Sequence, residues 1–238
     1  MVLDAFVMAH LGFQPAVAVT TVTAQNSSAF LGQWPVAPET LVAQLDALLA
    51  EGEIACVKIG ALGSAELAGA LAEWLILAEV PVVVCDPVLA SSSGGALVDI
   101  ADEAVDALAR ASTVVTPNVA EALRLARLAP AGEAAEIESA VLRAARILAE
   151  RWNCMVIATG LPSVSAAEAV DLIVRPDSEV DGVPHPLVPN VGDVRGTGCM
   201  LASALACQLA RGLDVRDALA AAHSTVREML GEARPIGR

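Results

Sequence analysis

The chain has 238 residues, of which 55% are hydrophobic and only 3% aromatic, so a large core would consist mainly of Ala, Val and Leu. The formal net charge is −14, which argues against nucleic acid or an anionic membrane as a partner. The five cysteines form no Cys-x-x-Cys pair, and the sequence shows no secretory signal and no apolar run long enough to span a bilayer. We therefore expect a cytoplasmic protein with reduced thiols and no membrane partner.

Apolar periodicity and capping residues predict alternating helices and strands. Helices are expected at 5–11, 38–50, from 64 onward, at about 102–110, at 119–128 and 134–151, after 196, and at 214–230. Strands are expected at 16–22, 54–59, 80–85, 112–116, 154–158 and 170–174, followed by a polar loop over 177–193. Strands this apolar that alternate with helices indicate a parallel sheet covered on both faces. We expect one domain over residues 1–238.

Polar residues follow the ends of five predicted strands. They are Gln25-Asn26, Lys58 with Gly60, Asp86, Asn118 and Thr159-Gly160. Turn chemistry explains some of them one by one, because Asp, Asn and Gly favour loop starts. Ligands of open parallel sheets bind at the carboxyl ends of the strands. Taken together, these residues predict a binding site at one edge of the sheet.

The most informative motif is Gly196-Thr-Gly-Cys199, which precedes an apolar helical run. Glycines allow a tight turn, and the first turn of a helix presents amide N–H groups that attract anions, most often phosphate. Cys199 would stand at the mouth of such a site, where the pKa of a thiol is expected to be lowered. A plain glycine turn before a core helix is the alternative interpretation.

Five motifs together resemble the hydroxymethylpyrimidine/phosphomethylpyrimidine kinases of thiamine biosynthesis, within the ribokinase-like superfamily. They are Thr23-Ala-Gln-Asn26, Val57-Lys-Ile-Gly-Ala-Leu-Gly-Ser64, Val84-Cys-Asp-Pro-Val-Leu-Ala90, Val115-Thr-Pro-Asn-Val-Ala-Glu-Ala122 and Gly196-Thr-Gly-Cys199. The resemblance covers nearly the whole chain. It implies a three-layer α/β/α sandwich with a mostly parallel central sheet, and ATP-dependent phosphorylation of 4-amino-5-hydroxymethyl-2-methylpyrimidine and its monophosphate. It also implies a homodimer.

The resemblance assigns a role to each matching residue. The amides of Gly196, Thr197, Gly198 and Cys199 would form the anion hole, with Cys199 as the general base. The pyrimidine would be held by residues matching Asp4, Gln25, Ala61 and Val88. ATP would lie beside Thr159, Gly160, Asp86 and Arg195. Magnesium would be positioned by Asn118 and Glu121, in agreement with its preference for oxygen ligands.

The sequence departs from the family at several positions. Thr159 stands where many members have Lys, Arg195 where His is usual, and Ala61 where Met often contacts the pyrimidine. The family usually begins with a strand and a glycine-rich loop that would precede Met1 here, so a start upstream of Met1, a segment missing from this sequence and a degenerate protein all stay open. The missing opening segment leaves a catalytically degenerate ligand-binding or regulatory homologue open as an alternative. A pyridoxal or pyridoxine kinase also stays open, because that ring carries a hydroxymethyl group too and the same turn serves it. The histidines, His10, His185 and His223, lack metal-ligand spacing, and we expect no catalytic role for them.

Overall fold

The computed structural model describes residues 2–25, 29–88, 102–129, 134–163, 167–177, 179–187 and 196–232. Its helices are α1 (Val2–His10), α2 (Pro38–Leu49), α3 (Ala65–Ala78), α4 (Asp102–Arg110), α5 (Val119–Leu125), α6 (Ala134–Trp152), α7 (Thr197–Ala210) and α8 (Val215–Glu232). Its strands are β1 (Thr21–Gln25), β2 (Phe30–Pro35), β3 (Val57–Ile59), β4 (Val83–Cys85), β5 (Val114–Val115), β6 (Met155–Pro162), β7 (Glu168–Val174) and β8 (Val180–Pro186).

Strands β3 to β8 form one six-stranded sheet in chain order. The neighbours from β3 to β6 are parallel, whereas β7 and β8 add an antiparallel extension. Alternate residues of each strand face opposite layers. In β4, Val83 and Cys85 join the core that includes α2 to α6, and Val84 joins the core that includes α1, α7 and α8. The predicted three-layer α/β/α architecture with a mostly parallel sheet is confirmed.

The prediction of the first strand, at 16–22, is wrong both in its residues and in the strand with which it pairs. Residues 13–20 are not a strand, and β1 instead pairs antiparallel with β2 in a separate two-stranded sheet. The β-branched run at 16–22 satisfies strand propensity without revealing which sheet it joins. Gln25 therefore ends a hairpin strand, and does not lie at the end of a central strand.

Two further differences concern the antiparallel extension. Strand β6 does not stop at Thr159-Gly160 but runs on to Pro162, with an irregularity in its pairing to β7 between Ala158 and Leu161. Gly160 has a φ of 75°, in the left-handed region that favours glycine. Strand β8 lies inside the predicted polar loop, because its prolines and polar residues conceal an edge strand. Within the described ranges, no helix is long and apolar enough to cross a membrane.

Candidate active site

A buried lysine on β3 joins two carboxylates, one from α1 and one that follows β4. Lys58 Nζ lies 2.7 Å from Asp4 Oδ1 and 3.4 Å from Asp86 Oδ2. The three side chains are 4%, 15% and 10% exposed, respectively. Ser203 Oγ also donates a hydrogen bond to Asp4 Oδ1, at 3.1 Å. Lys58, to which the resemblance assigns no role, thus brings together Asp4, predicted to bind the pyrimidine, and Asp86, predicted to lie beside ATP.

Strand register explains this meeting point. Val57 and Ile59 face the layer of α2 to α6, so the alternation turns Lys58 toward α1 and α7. Asp86 follows the neighbouring strand, where its amide donates to the carbonyl of Ile59 at 2.9 Å. Helix α1 packs against α7 and carries Asp4 into the same place.

The electrostatics of this cluster favour its charged form. Burial by itself raises the pKa of Asp4, but the Lys58 ammonium overcomes this and leaves it well below its usual range. Burial by itself lowers the pKa of Lys58, whereas Asp86, Cys199 and Asp4 raise it well above its usual range. One ammonium faces two carboxylates, so the three charged groups sum to −1.

Cys199 lies at the start of α7 beside this cluster, and its pKa corrects the expectation drawn from the sequence. The thiol is half-buried. Burial, followed by the Asp86 carboxylate, raises its pKa to about 12. The predicted lowering is wrong for the ligand-free protein. The sequence motif showed the helix N-terminus, but not the carboxylate that folding places against the sulfur.

The Gly196 turn is accessible from outside. Thr197 and Gly198 are exposed, and the first backbone bond of α7 runs from Met200 N to Gly196 O at 2.9 Å. The amides of residues 197–199 therefore lie ahead of the helical hydrogen-bond ladder, where an anion can approach them. Gly196 has a φ of 88°, and a Cβ added to it would lie 2.7 Å from Leu3 Cδ2. The backbone conformation favours glycine there, and a larger residue would also require the Leu3 side chain to shift.

The predicted metal residues, Asn118 and Glu121, form a reciprocal cap at the start of α5. Asn118 Oδ1 accepts from Glu121 N at 3.0 Å, and Glu121 Oε2 accepts from Asn118 N at 2.9 Å. This is a capping box, which by itself accounts for an Asn-x-x-Glu spacing. The pair nevertheless lies at the sheet edge predicted to bind ligand, because Asn118 forms a parallel bridge with Thr159.

Thr159 and Gly160 are predicted to lie beside ATP, and the amide of Gly160 is bound by a fully buried carboxylate. Asp171 Oδ1 accepts from Gly160 N at 2.8 Å. Asp171 also contacts His185 Nε2 at 3.2 Å through Oδ1 and His223 Nε2 at 2.7 Å through Oδ2. Burial by itself raises the pKa of Asp171, but the two histidines reduce it to about 2.

The two histidine rings stack on each other, with centroids 3.7 Å apart and planes at 17°. Asp171, His185 and His223 come close enough to be considered as metal ligands. However, the rings are nearly parallel, and each meets a different oxygen of the one carboxylate. This geometry fits two hydrogen bonds better than a metal site, in which the lone pairs of the ligands converge on one ion. Their sequence positions gave no sign of the contact, since the residues come from β7, β8 and α8.

The other predicted site residues have separate surroundings. Ala61 lies at the base of the β1–β2 hairpin, where its carbonyl accepts from Thr20 Oγ1 at 2.8 Å. Val88 and Asp86 line one hollow, together with Gly60 and Leu62. Gln25 is exposed at the end of β1. Arg195 lies outside the described residues.

Lys58 is a candidate site residue to which the sequence motifs assign no role. In the sequence it stands out only as a polar residue at the end of a predicted strand. The composition does contain a sign that Lys58 is special, because it is the single lysine among the 14 Lys and Arg residues of the chain. A residue type used once, inside an apolar strand, indicates a specific requirement.

Comparison with known proteins agrees with this arrangement. The model of the phosphomethylpyrimidine kinase family matches residues 3–238. The hydroxymethylpyrimidine/phosphomethylpyrimidine kinase of Streptomyces coelicolor is 36% identical over 239 residues, covering 98% of this chain and 84% of the relative. The enzyme of the same name from Rhizobium meliloti is 32% identical over 225 residues, covering 94% and 82%.

Solved structures share the fold. The ADP complex of Bacillus subtilis pyridoxal kinase superposes with a TM-score of 0.82 at 22% identity, covering 99% of this chain and 87% of that one. Phosphomethylpyrimidine kinase from Clostridium difficile 630 gives a TM-score of 0.74 at 22% identity, covering 95% and 91%. At this identity the two structures establish the ribokinase-like fold alone. The match to the family model and the relatives above 30% identity go further, and the chain belongs to the phosphomethylpyrimidine kinase family.

Proposed function

We propose that this protein transfers the γ-phosphoryl group of ATP to the hydroxymethyl oxygen of 4-amino-5-hydroxymethyl-2-methylpyrimidine, and phosphorylates the resulting monophosphate. The observation that carries the proposal is the position of Cys199. It stands at the accessible N-terminus of α7, beside Asp86, Lys58 and Asp4. A hydroxyl and a phosphate can therefore meet one proton acceptor and one set of helix amides.

The chain's own groups would divide the work as follows. The amides of residues 196–199 bind the phosphoryl oxygens, because the first turn of a helix offers N–H groups and partial positive charge. Cys199 takes the hydroxymethyl proton in its thiolate form as the oxygen forms its bond to phosphorus and the bond to ADP breaks. Reaching this form requires the Asp86 charge to be offset when the site is filled, since that carboxylate helps to raise the thiol pKa in the ligand-free protein. Asp4 and Gln25 offer hydrogen-bonding groups to the aminopyrimidine. Ala61 and Val88 contribute to the wall around it.

The site residues also fit magnesium. Asp86 Oδ2 is buried and has no hydrogen-bond partner among the described residues. The Lys58 ammonium, 3.4 Å from this oxygen, is shared with Asp4, so the three groups keep a net charge of −1 that a further cation would offset. Asp86, together with Asn118 and Glu121, supplies the oxygen ligands that magnesium prefers. Magnesium, when bound, neutralises charge on the phosphate oxygens and near Asp86.

The test is product analysis by mass spectrometry after incubation with ATP, magnesium and either the hydroxymethylpyrimidine or pyridoxal. We expect mono- and diphosphorylated pyrimidine and a kcat/KM at least 10-fold lower for pyridoxal. A preference for pyridoxal would instead identify the protein as a pyridoxal kinase. Binding of either ring without any phosphoryl transfer would identify the degenerate homologue.

We propose further that the enzyme is a cytoplasmic homodimer, as the family resemblance implies. Sedimentation velocity of the purified protein tests the assembly. A single species at the monomer mass of 24.3 kDa across micromolar concentrations would exclude the dimer.

A further inference from the structure

The chain uses lysine once and arginine 13 times, and the single lysine is buried at the candidate active site. Lys58 extends from β3, whose neighbouring residues are apolar, and meets Asp4 from α1 and Asp86 from the end of β4. A lone ammonium is thus shared by carboxylates from two other parts of the fold. Burying such a charge is favourable only when its partners are well placed.

The surroundings favour a compact cation here. A Cβ added at Gly60 would lie 3.0 Å from Lys58 Nζ, so the ammonium occupies the space that glycine leaves. An ammonium is a point charge with three donors, whereas a guanidinium is a wide planar fork. Asp4 Oδ1 and Asp86 Oδ2 lie within 4 Å of the one nitrogen atom, which suits the ammonium.

We propose that Lys58 is a positioning residue that holds Asp4 and Asp86 in place, and so couples the pyrimidine side of the site to the phosphate side. This inference rests on the proposed function for the identity of the two sides. Lys58 acts through the carboxylates and not by contact with the reacting atoms. Without it, Asp4 and Asp86 would lose the ammonium that they share, and α1 would lose this ion pair to β3.

The first experiment is a double-mutant cycle on substrate affinity. Lys58→Met and Asp4→Asn should each raise the KM for the hydroxymethylpyrimidine at least 10-fold. If Lys58 acts through Asp4, the double variant should be no worse than the poorer single variant, because the same contact cannot be lost twice. Independent effects that multiply to 100-fold or more would overturn the proposal.

A matched control separates positioning from loss of stability. Asp46→Ala removes the acceptor of Trp74 Nε1 (2.8 Å) between α2 and α3, and it touches no candidate site residue. Thermal melts should show destabilisation in both Asp46→Ala and Lys58→Met. Only Lys58→Met should change the KM for the pyrimidine. An equal change in Asp46→Ala would assign the Lys58 effect to general destabilisation and overturn the positioning role.

A spectroscopic arm needs no substrate. Protein labelled with ¹⁵N-lysine has one side-chain ammonium signal, since the chain has one lysine. The signal should be protected from fast exchange and should move in Asp4→Asn and in Asp86→Asn. An exposed-type signal, or one unmoved by either substitution, would overturn the proposal. If the wild type phosphorylates neither ring, the proposed function fails, while this signal still decides whether Lys58 holds the two carboxylates.

Discussion

Leu3 Cδ2 occupies the space that any side chain at Gly196 would need, since the two would approach within 2.7 Å. Leu3 is on α1, one residue before Asp4, and Gly196 begins the turn into α7. The helix that carries the predicted pyrimidine residue Asp4 therefore packs, through Leu3, against the turn of the predicted anion hole. A change at one of them should reach the other.

We predict that Gly196→Ala lowers stability by about 1–2 kcal/mol, because a left-handed φ and a close contact both oppose the added methyl group. It should also weaken pyrimidine affinity as α1 is displaced. Gly198→Ala is the matched control, since its Cβ meets nothing within 4 Å among the described residues. Urea denaturation and pyrimidine titrations of both variants provide the measurement. Equal stability of the two variants would contradict the packing argument.

Cys199→Ser should lower turnover by roughly 10²-fold or more, the usual scale for removing a general base. Pyrimidine binding should change little, because other side chains are proposed to hold the ring. The measurement is kcat and dissociation constant for both proteins. Turnover near that of the wild type would remove Cys199 from the mechanism and leave the helix amides and the metal as catalysts.

Asp86→Asn should make Cys199 more reactive toward iodoacetamide. Burial is the largest cause of the raised thiol pKa, and the Asp86 carboxylate is the next. Removing that charge should lower the pKa and raise the thiolate fraction at pH 8. Peptide mass spectrometry can follow Cys199 separately from the buried Cys207. An unchanged rate at Cys199 would show that burial alone sets its pKa.

Substitutions at Glu121 can separate its capping role from its proposed metal role. Glu121→Gln retains an oxygen that can accept from Asn118 N, so stability should stay within about 0.5 kcal/mol of the wild type. Its magnesium dependence should shift to higher concentration, because one negative charge is lost. Glu121→Ala should also lose about 1 kcal/mol with the cap. Superimposable magnesium titrations of wild type and Glu121→Gln would reject the metal role.

Asp171→Asn should destabilise the protein most above pH 4. The folded pKa of Asp171 is about 2 and the ordinary value is 3.8, so its carboxylate contributes stability that is complete above pH 4 and is lost as the pH falls toward 2. The difference corresponds to about 2 kcal/mol. Urea unfolding of both proteins from pH 7 to pH 2 should show their stabilities converging. A constant difference across this range would contradict the assignment.

Local signals in the sequence predicted much of the fold. Helix α3 begins after Ser64, whose Oγ accepts from Leu67 N at 3.2 Å, as the capping pattern indicates. Helices α2, α4 and α6 follow their apolar periodicity to within one or two residues. The pairing partners of the strands could not be predicted. The local sequence of β1 is typical of a strand and that of β8 is not, and neither indicates which sheet the strand joins. Their sheets are decided by contacts with distant segments.

The site divides in the same way. The Gly196 turn carries its geometry in adjacent residues, so glycine spacing predicted it. The pKa of Cys199 depends on Asp86, which is more than 100 residues away, and the contact of Asp171 with His223 spans 52 positions. Such pairs are created by tertiary packing, and nothing in their local sequence marks them.

The solitary buried lysine also makes the chain its own unfolding reporter. An endoproteinase that cuts only after lysine has one target, the bond after Lys58, and it lies within β3, which pairs only with β4 in the described sheet. Cleavage there requires β3 to leave β4 and Lys58 to leave its carboxylates, so its rate reports the opening of this edge of the sheet and not the fraying of a loop. The two products, 1–58 and 59–238, would be resolved on a gel. A ligand that binds only the closed protein should slow their appearance by a factor of 1 + [L]/Kd, where [L] is the free ligand concentration.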